Sequence, residues 1–310
     1  MKQKQSDTNI FSENDIKEIV DRNDKNERIY HYTTLEAFYK IVDGINDDVF
    51  TFRAGSVYTM NDTQEMVLGY NKIMEFLPKI EQTLKVKKED RITEITNNQR
   101  NNKHIQEKFG EWLINDDNTN FVVSFSSTAD ILPMWALYGG MGTGVCLEFS
   151  PYEIKKYYEK VCNEKHLRIE HCKYNENDIQ AYLLDELEIV YRLFLKSNNA
   201  DERKDSLVKA KYLATMCGIT GAYVKHIGFE YEREIRMNIF RNKNEWKFVE
   251  TRNGYRSAFV EVAIPLNALT NIIVGPAADM GKVKNAMTMT LRKKGITIEP
   301  KHSGLPYRIY

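Results

Sequence analysis

What is scarce in this sequence narrows the field first. Four cysteines (Cys146, Cys162, Cys172 and Cys217) are scattered through 310 residues, too few for a disulfide scaffold and suited to a reducing compartment. No run of about 18 apolar residues occurs, which excludes a membrane-spanning helix. The opening MKQKQSDTNIF lacks the apolar core of a signal peptide. Net charge is also missing: Lys+Arg and Asp+Glu are 44 each, so bulk charge does not hold the protein to a polyanion, though a local basic groove would. Internal repeats and long Gly/Ser or Pro linkers are absent as well. A cytoplasmic protein with no membrane partner is expected.

What is present is a globular composition, 42% hydrophobic and 28% charged. A chain of 36.3 kDa buries roughly 75% of its unfolded surface and needs no staple. Residues 1–27 are polar with one short helical pattern (Ile10, Ile16, Ile19, Val20) after Ser12, and read as an arm or docking helix. Strand character follows at 28–34, 49–53, 120–126, 144–149, 166–174, 232–240, 257–265, 271–276 and 296–300. Helices are predicted from Leu35 to Val42, from Met66 onward (66, 70, 73, 77, 80, 84), over 177–226 and over 281–294. An apolar helical turn, ILPMWALYG, lies between 126 and 144, and Pro78 is expected to kink or divide the second helix. Residues 85–120 read as a solvated excursion outside the main core, with Phe109, Trp112 and Leu113 as a docking patch.

Short strands interrupted by helical excursions predict an α+β class with a mixed or antiparallel sheet. The expected organisation is one domain over 28–310, with helical insertions at about 64–118 and 177–226.

Several motifs bear on chemistry. GGMGTG (139–144) follows a helix and precedes a strand, the reverse of a dinucleotide loop, and lacks the Lys-Ser/Thr of a phosphate loop; it reads as a tight turn. Cys162, His166, His171 and Cys172 do not match zinc spacing, and no metal is expected. FEYEREIR (229–236) places Glu230, Glu232, Glu234 and Arg236 at period two, on one strand face if the strand starts that early. Four such charges cannot enter a core unpaired. They form either a solvated edge face or a carboxylate presented into a cleft, with Arg236 holding it ionised. In YHYTT (30–34), His31 and Thr33 share one face, as a structural hydrogen-bonding pair or a grip on a ribose. In VVSFSS (122–127), Ser124 and Ser126 share a face and Phe125 takes the other. The stretch 281–308 is basic (Lys282, Lys284, Arg292, Lys293, Lys294, Lys301 and Arg308 against Glu299), either a solvated helix face or a guide for nucleic-acid phosphates.

In order, the chain reads Y-H-Y-T-x-L-x-x-F, M-N-D-x-x-E (60–65), S-F-S, M-W-x-x-Y (134–138) and G-V-C-L-E-F. Then come Y-E-x-E-x-R (231–236), I-I-V-G-P and S-x-x-P-Y-R (303–308). Over about 28–308 this series resembles the bacterial DUF2971 family, placed near the ADP-ribosyltransferase superfamily. That resemblance implies a split β-sheet with a cleft that binds NAD+ as substrate, without a Rossmann loop or a metal. It implies that His31 with Thr33 contacts a ribose, that Ser124, Phe125 and Ser126 embrace the nicotinamide, and that Glu234 is catalytic with Glu232 as its Glu-x-Glu partner. Arg236 is placed with the cofactor-binding set. Tyr32, Tyr58, Trp135 and Tyr138 compete for stacking on nicotinamide, and Asn61, Asp62 and Glu65 either contact substrate or cap a helix.

The expected activity is NAD+-dependent ADP-ribosyl transfer to a macromolecule, protein or nucleic acid, in a toxin or phage-defence setting, with an inhibitory protein as a further partner. The alternatives are NAD+ hydrolysis, a non-catalytic module that keeps the cleft, and a metal-dependent nuclease using Asp62, Glu65, Glu232 and Glu234.

Overall fold

The computed structural model describes residues 25–57, 65–95, 118–164, 167–250, 254 and 256–307. The expectations for residues 1–24, Tyr58, Asn61, Asp62, Phe109, Trp112, Leu113, His166, Arg308 and the Glu65 side chain lie outside these residues. Two compact units divide the chain. One is drawn from Met66–Asp116 and Asn175–Val224, the other from Asn23–Glu65, Asp117–Tyr174 and Lys225–Tyr310.

The ten strands among the described residues lie in the second unit: β1 (Ile29–Thr33), β2 (Val49–Ser56), β3 (Asn118–Ser126), β4 (Val145–Phe149), β5 (Arg168–His171), β6 (Glu234–Asn242), β7 (Lys247–Glu250), β8 (Arg256–Pro265), β9 (Leu269–Val274) and β10 (Lys301–His302). The described helices of the chain are α1 (Leu35–Asp43), α2 (Glu65–Thr83), α3 (Leu132–Leu137), α4 (Pro151–Lys160), α5 (Glu176–Ser197), α6 (Ser206–Ile219) and α7 (Met280–Lys293). The fold is α+β with a mixed, open sheet in the order β10-β9-β4-β1-β3-β2-β8-β7. Only β10 and β9 run parallel among these pairs.

The sheet forks at β3. One edge of β3 pairs with β6 from Asn118 to Ser126, and β5 pairs beyond β6. The other edge is shared: β1 meets it at Ser126, while β2 meets it at Val122 and Phe121. Alternation along these strands sorts the side chains by face. Phe50, Phe52, Phe121, Val123, Phe125, Ile235, Met237 and Ile239 fall on one face. There they join Phe38 and Val42 of α1, Ile154 and Tyr158 of α4, and Met287 and Leu291 of α7 in the main core. Ser124, Ser126, Glu234, Arg236 and Asn238 share the opposite face, because register pairs Ser126 with Glu234 and Ser124 with Arg236.

Helix starts follow local chemistry. Thr34, Ser150 and Asp279 accept from the backbone N–H three residues on and cap α1, α4 and α7. GGMGTG closes as a turn with Gly142 at φ 86. A Cβ on Gly144 would stand 2.1 Å from the Thr33 carbonyl oxygen, so only glycine lets this turn pack against the end of β1.

The helical unit has its own core. Ile73, Phe76, Leu77 and Ile80 of α2 meet Leu183, Leu187 and Val190 of α5 and Leu213 and Met216 of α6. Val86, Ile92 and Ile95 are buried in the same cluster, so this part of the 85–120 excursion lies outside the main core but is packed rather than solvated. The buried Glu81 carboxylate explains the anchorage: it accepts from the Thr93 N–H at 3.0 Å and the Tyr191 hydroxyl at 3.1 Å.

Three further expectations change. Pro78 sits inside α2 without dividing it, which removes the second of its two expected effects. Residues 296–300 form no strand, and the short β10 follows them at Lys301–His302. FEYEREIR is not one strand: Ile227–Glu232 is a 3₁₀ helix, Arg233 is left-handed (φ 45, ψ 49), and β6 begins at Glu234. Glu230 and Glu232 therefore do not share a strand face with Glu234.

Candidate active site

The start of β6 is fixed by backbone bonds before any side chain acts. The Ser127 N–H donates to the Arg233 carbonyl at 2.8 Å and the Cys172 N–H to the Glu234 carbonyl at 2.9 Å. The Glu234 N–H donates to the Tyr174 hydroxyl at 2.7 Å, and the Ser126 hydroxyl donates to the Glu232 carbonyl at 2.8 Å. A further bond, from the Lys225 N–H to the Lys173 carbonyl at 3.0 Å, brings Lys225 beneath the pair of glutamates.

Four buried charges converge there. The Lys225 ammonium bonds a carboxylate oxygen of Glu232 and lies 2.8 Å from Glu234 Oε2. Arg236, fully buried, places Nη2 2.8 Å from the same Oε2. The Tyr138 hydroxyl donates to Glu232 Oε1 at 2.7 Å; burial first, then this bond, raises the phenol's pKa. Burial by itself pushes the Glu234 carboxyl up. Arg236 and Lys225 outweigh that and hold it at about 2, because two cations on one oxygen favour the charged form.

The two carboxylates differ in what remains available. Glu232 is engaged at both oxygens. Among the described residues the side-chain contacts of Glu234 fall on Oε2, including the Cys172 thiol at 3.7 Å, and nothing bonds Oε1. Glu234 also lines a cleft of about 630 Å³ with Ser127, His171, Cys172, Tyr174, Glu230, Tyr231 and Arg233. The arrangement presents a carboxylate held ionised by its two cations, with one oxygen anchored and the other able to accept a hydrogen bond.

Of the residues expected at a site, Glu232, Glu234, Arg236 and Tyr138 come together, and Ser126 braces the backbone beneath them. Ser124 sits across from Arg236 in register. His31 and Phe125 do not join them. The His31 ring packs edge-on against Phe52 at 5.0 Å and Phe125 at 5.8 Å on the core face. Its Nδ1 lies 3.1 Å from the Ser124 carbonyl oxygen, so Nδ1 carries the donated proton. Burial lowers the imidazole's pKa, with that bond opposing. Thr33, buried, pairs with Val145.

Tyr32 and Trp135 form a separate cluster, rings 5.0 Å apart. The Tyr32 hydroxyl bonds the Thr128 carbonyl and the Ile131 N–H, and Trp135 Nε1 donates to Asp130. Both hold the 128–131 loop. Among the described residues no group of three or more His, Cys, Asp or Glu side chains is arranged to hold a metal.

Sequence reading missed Lys225, Tyr174 and Arg233. The signal for Lys225 was a lone charge following Ala222, Tyr223 and Val224, all buried.

A family model described as protein of unknown function (DUF2971) matches residues 134–237, about a third of the chain. The matched stretch contains Tyr138, Lys225, Glu232, Glu234 and Arg236, and it supports the resemblance to that family. No curated protein and no solved structure matches the chain. Among the described residues no helix is long and apolar enough to cross a membrane.

Proposed function

We propose that the protein is an NAD+-dependent ADP-ribosyltransferase acting on a macromolecule, with Glu234 as its catalytic carboxylate. The observation that carries this reading is Glu234 Oε1, a carboxylate oxygen with no bonding partner among the described residues, on a side chain that lines a cleft. Breaking the bond between nicotinamide N1 and ribose C1′ leaves the electron pair on neutral nicotinamide and positive charge on the ribose, as in glycoside cleavage. A fixed anion accepting a hydrogen bond from the ribose 2′-hydroxyl stabilises that charge. The acceptor nucleophile then bonds C1′ and releases its proton. Lys225 and Arg236 keep the carboxylate charged and oriented through its other oxygen. Aromatic rings for stacking are available in the lining as Tyr174 and Tyr231.

Labelled NAD+ incubated with the protein and whole-cell lysate tests the reading. Label on macromolecular material, removed by protease or by nuclease, distinguishes a protein from a nucleic-acid acceptor, and label only in free ADP-ribose indicates hydrolysis. Glu234→Gln is expected to abolish nicotinamide release; full activity in that variant would overturn the assignment.

A second reading, a module that binds without turnover, draws on the pairing of two carboxylates with two cations, which leaves the network neutral. Calorimetric binding of NAD+ with no nicotinamide release would favour it.

A further inference from the structure

We propose that the same cleft holds an anion subsite at Arg233, which takes the phosphate of a ribose phosphate whose hydroxyl meets Glu234. This rests on the reading of Glu234 Oε1 as ligand-facing. In a continuous strand, consecutive side chains point to opposite faces. The left-handed backbone at Arg233 (φ 45, ψ 49) breaks that alternation, and Arg233 and Glu234 both line the cleft. One wall therefore offers a cation and a hydrogen-bond-accepting anion on neighbouring residues, a short span that suits a phosphate and a hydroxyl on one pentose.

The two arginines beside Glu234 are in different states. Arg236 is buried and tied to Glu234. Arg233 is exposed, and its side-chain bond is Nη1 donating to the Thr128 hydroxyl at 3.2 Å. Among the described residues no carboxylate pairs with it. A guanidinium has five donors in a fork that matches phosphate oxygens, so most of its capacity faces solvent. Ser127 and His171 add polar groups to the same lining, while Glu230 opposes an anion. The affinity expected is that of one guanidinium contact rather than of a polybasic pocket.

Calorimetric titration of the full chain with nicotinamide mononucleotide and with nicotinamide riboside, which lacks the phosphate, isolates the subsite. Arg233→Ala keeps a Cβ and so the same backbone demand. It is expected to weaken mononucleotide binding about 10- to 100-fold and riboside binding less than twofold, with Arg233→Lys recovering part of the loss. Glu234→Gln should weaken both ligands. Equal loss of both ligands in Arg233→Ala, or no loss, overturns the subsite. If NAD+ turnover depends on Glu234 but mononucleotide binding ignores Arg233, the subsite falls and the transferase reading stands. If mononucleotide binding requires Arg233 but NAD+ is never consumed, the transferase reading falls and the subsite stands. Wild-type protein that binds neither ligand removes the subsite.

Discussion

Replacing Lys225 with Met strips one cation from beneath two buried carboxylates while keeping the length of the side chain. Lys225 is 5% exposed, Glu232 and Glu234 4% each, so little water reaches the exposed charge to compensate. Removing one member of such a buried network costs about 3–5 kcal/mol. For domains of 150–250 residues that corresponds to a melting shift on the order of 10 °C. The pH dependence separates this loss from simple repacking. In the wild type, the folded Glu234 carboxyl sits at about 2 against an ordinary 4.5. Its stabilisation of about 3 kcal/mol is therefore present above pH 4.5 and lost as the pH falls toward 2. In Lys225→Met the folded value rises toward the ordinary one and that contribution shrinks. The variant's deficit, read by denaturant unfolding followed by circular dichroism, should be largest at pH 7 and should narrow between pH 4.5 and 3. A deficit below about 1 kcal/mol at pH 7, or one constant from pH 7 to 3, would refute the electrostatic account of the network.

Burial holds the His31 imidazole below its ordinary 6.5; the titration midpoint of its ring proton resonances should fall below 6.5, and the stability it contributes should decline as pH drops below 6.5. Gly144→Ala forces a Cβ to within 2.1 Å of the Thr33 carbonyl and should cost more than about 4 kcal/mol, whereas Gly55→Ala, with nothing within 4 Å, should stay within about 1 kcal/mol of wild type; paired melting curves decide both. Asp130→Ala removes the acceptor of Trp135 Nε1 at 2.8 Å and of the Gly304 N–H at 3.1 Å, and should red-shift tryptophan emission while lowering stability by about 2–4 kcal/mol.

Much of the fold was legible because period-two and period-3.6 patterns survive tertiary packing. The run 257–265 appears as β8 at Arg256–Pro265, and 281–294 as α7 at Met280–Lys293. What was not legible came from single residues and long-range pairs. The alternation of Glu230, Glu232, Glu234 and Arg236 extends a strand pattern through Arg233, where a left-handed backbone interrupts it, and no neighbouring glycine announced the turn. The rule that those charges cannot be buried unpaired held, but the partner, Lys225, is supplied from the segment just after α6, where sequence reading had continued a helix. His31 fits a ribose-contacting pattern by position. The β1–β3 register nonetheless turns it to the face opposite Glu234, and one-residue parity of that kind is set by strand pairing rather than by local sequence.

The most direct test of the account compares nicotinamide release from NAD+ by wild-type protein and Glu234→Gln, with folding of both verified by circular dichroism. The account predicts measurable release by the wild type and a loss of at least about 100-fold in the variant, in line with removal of a group that stabilises transition-state charge. Equal release by the two proteins, or none by folded wild type with its macromolecular acceptor supplied as lysate, would contradict it.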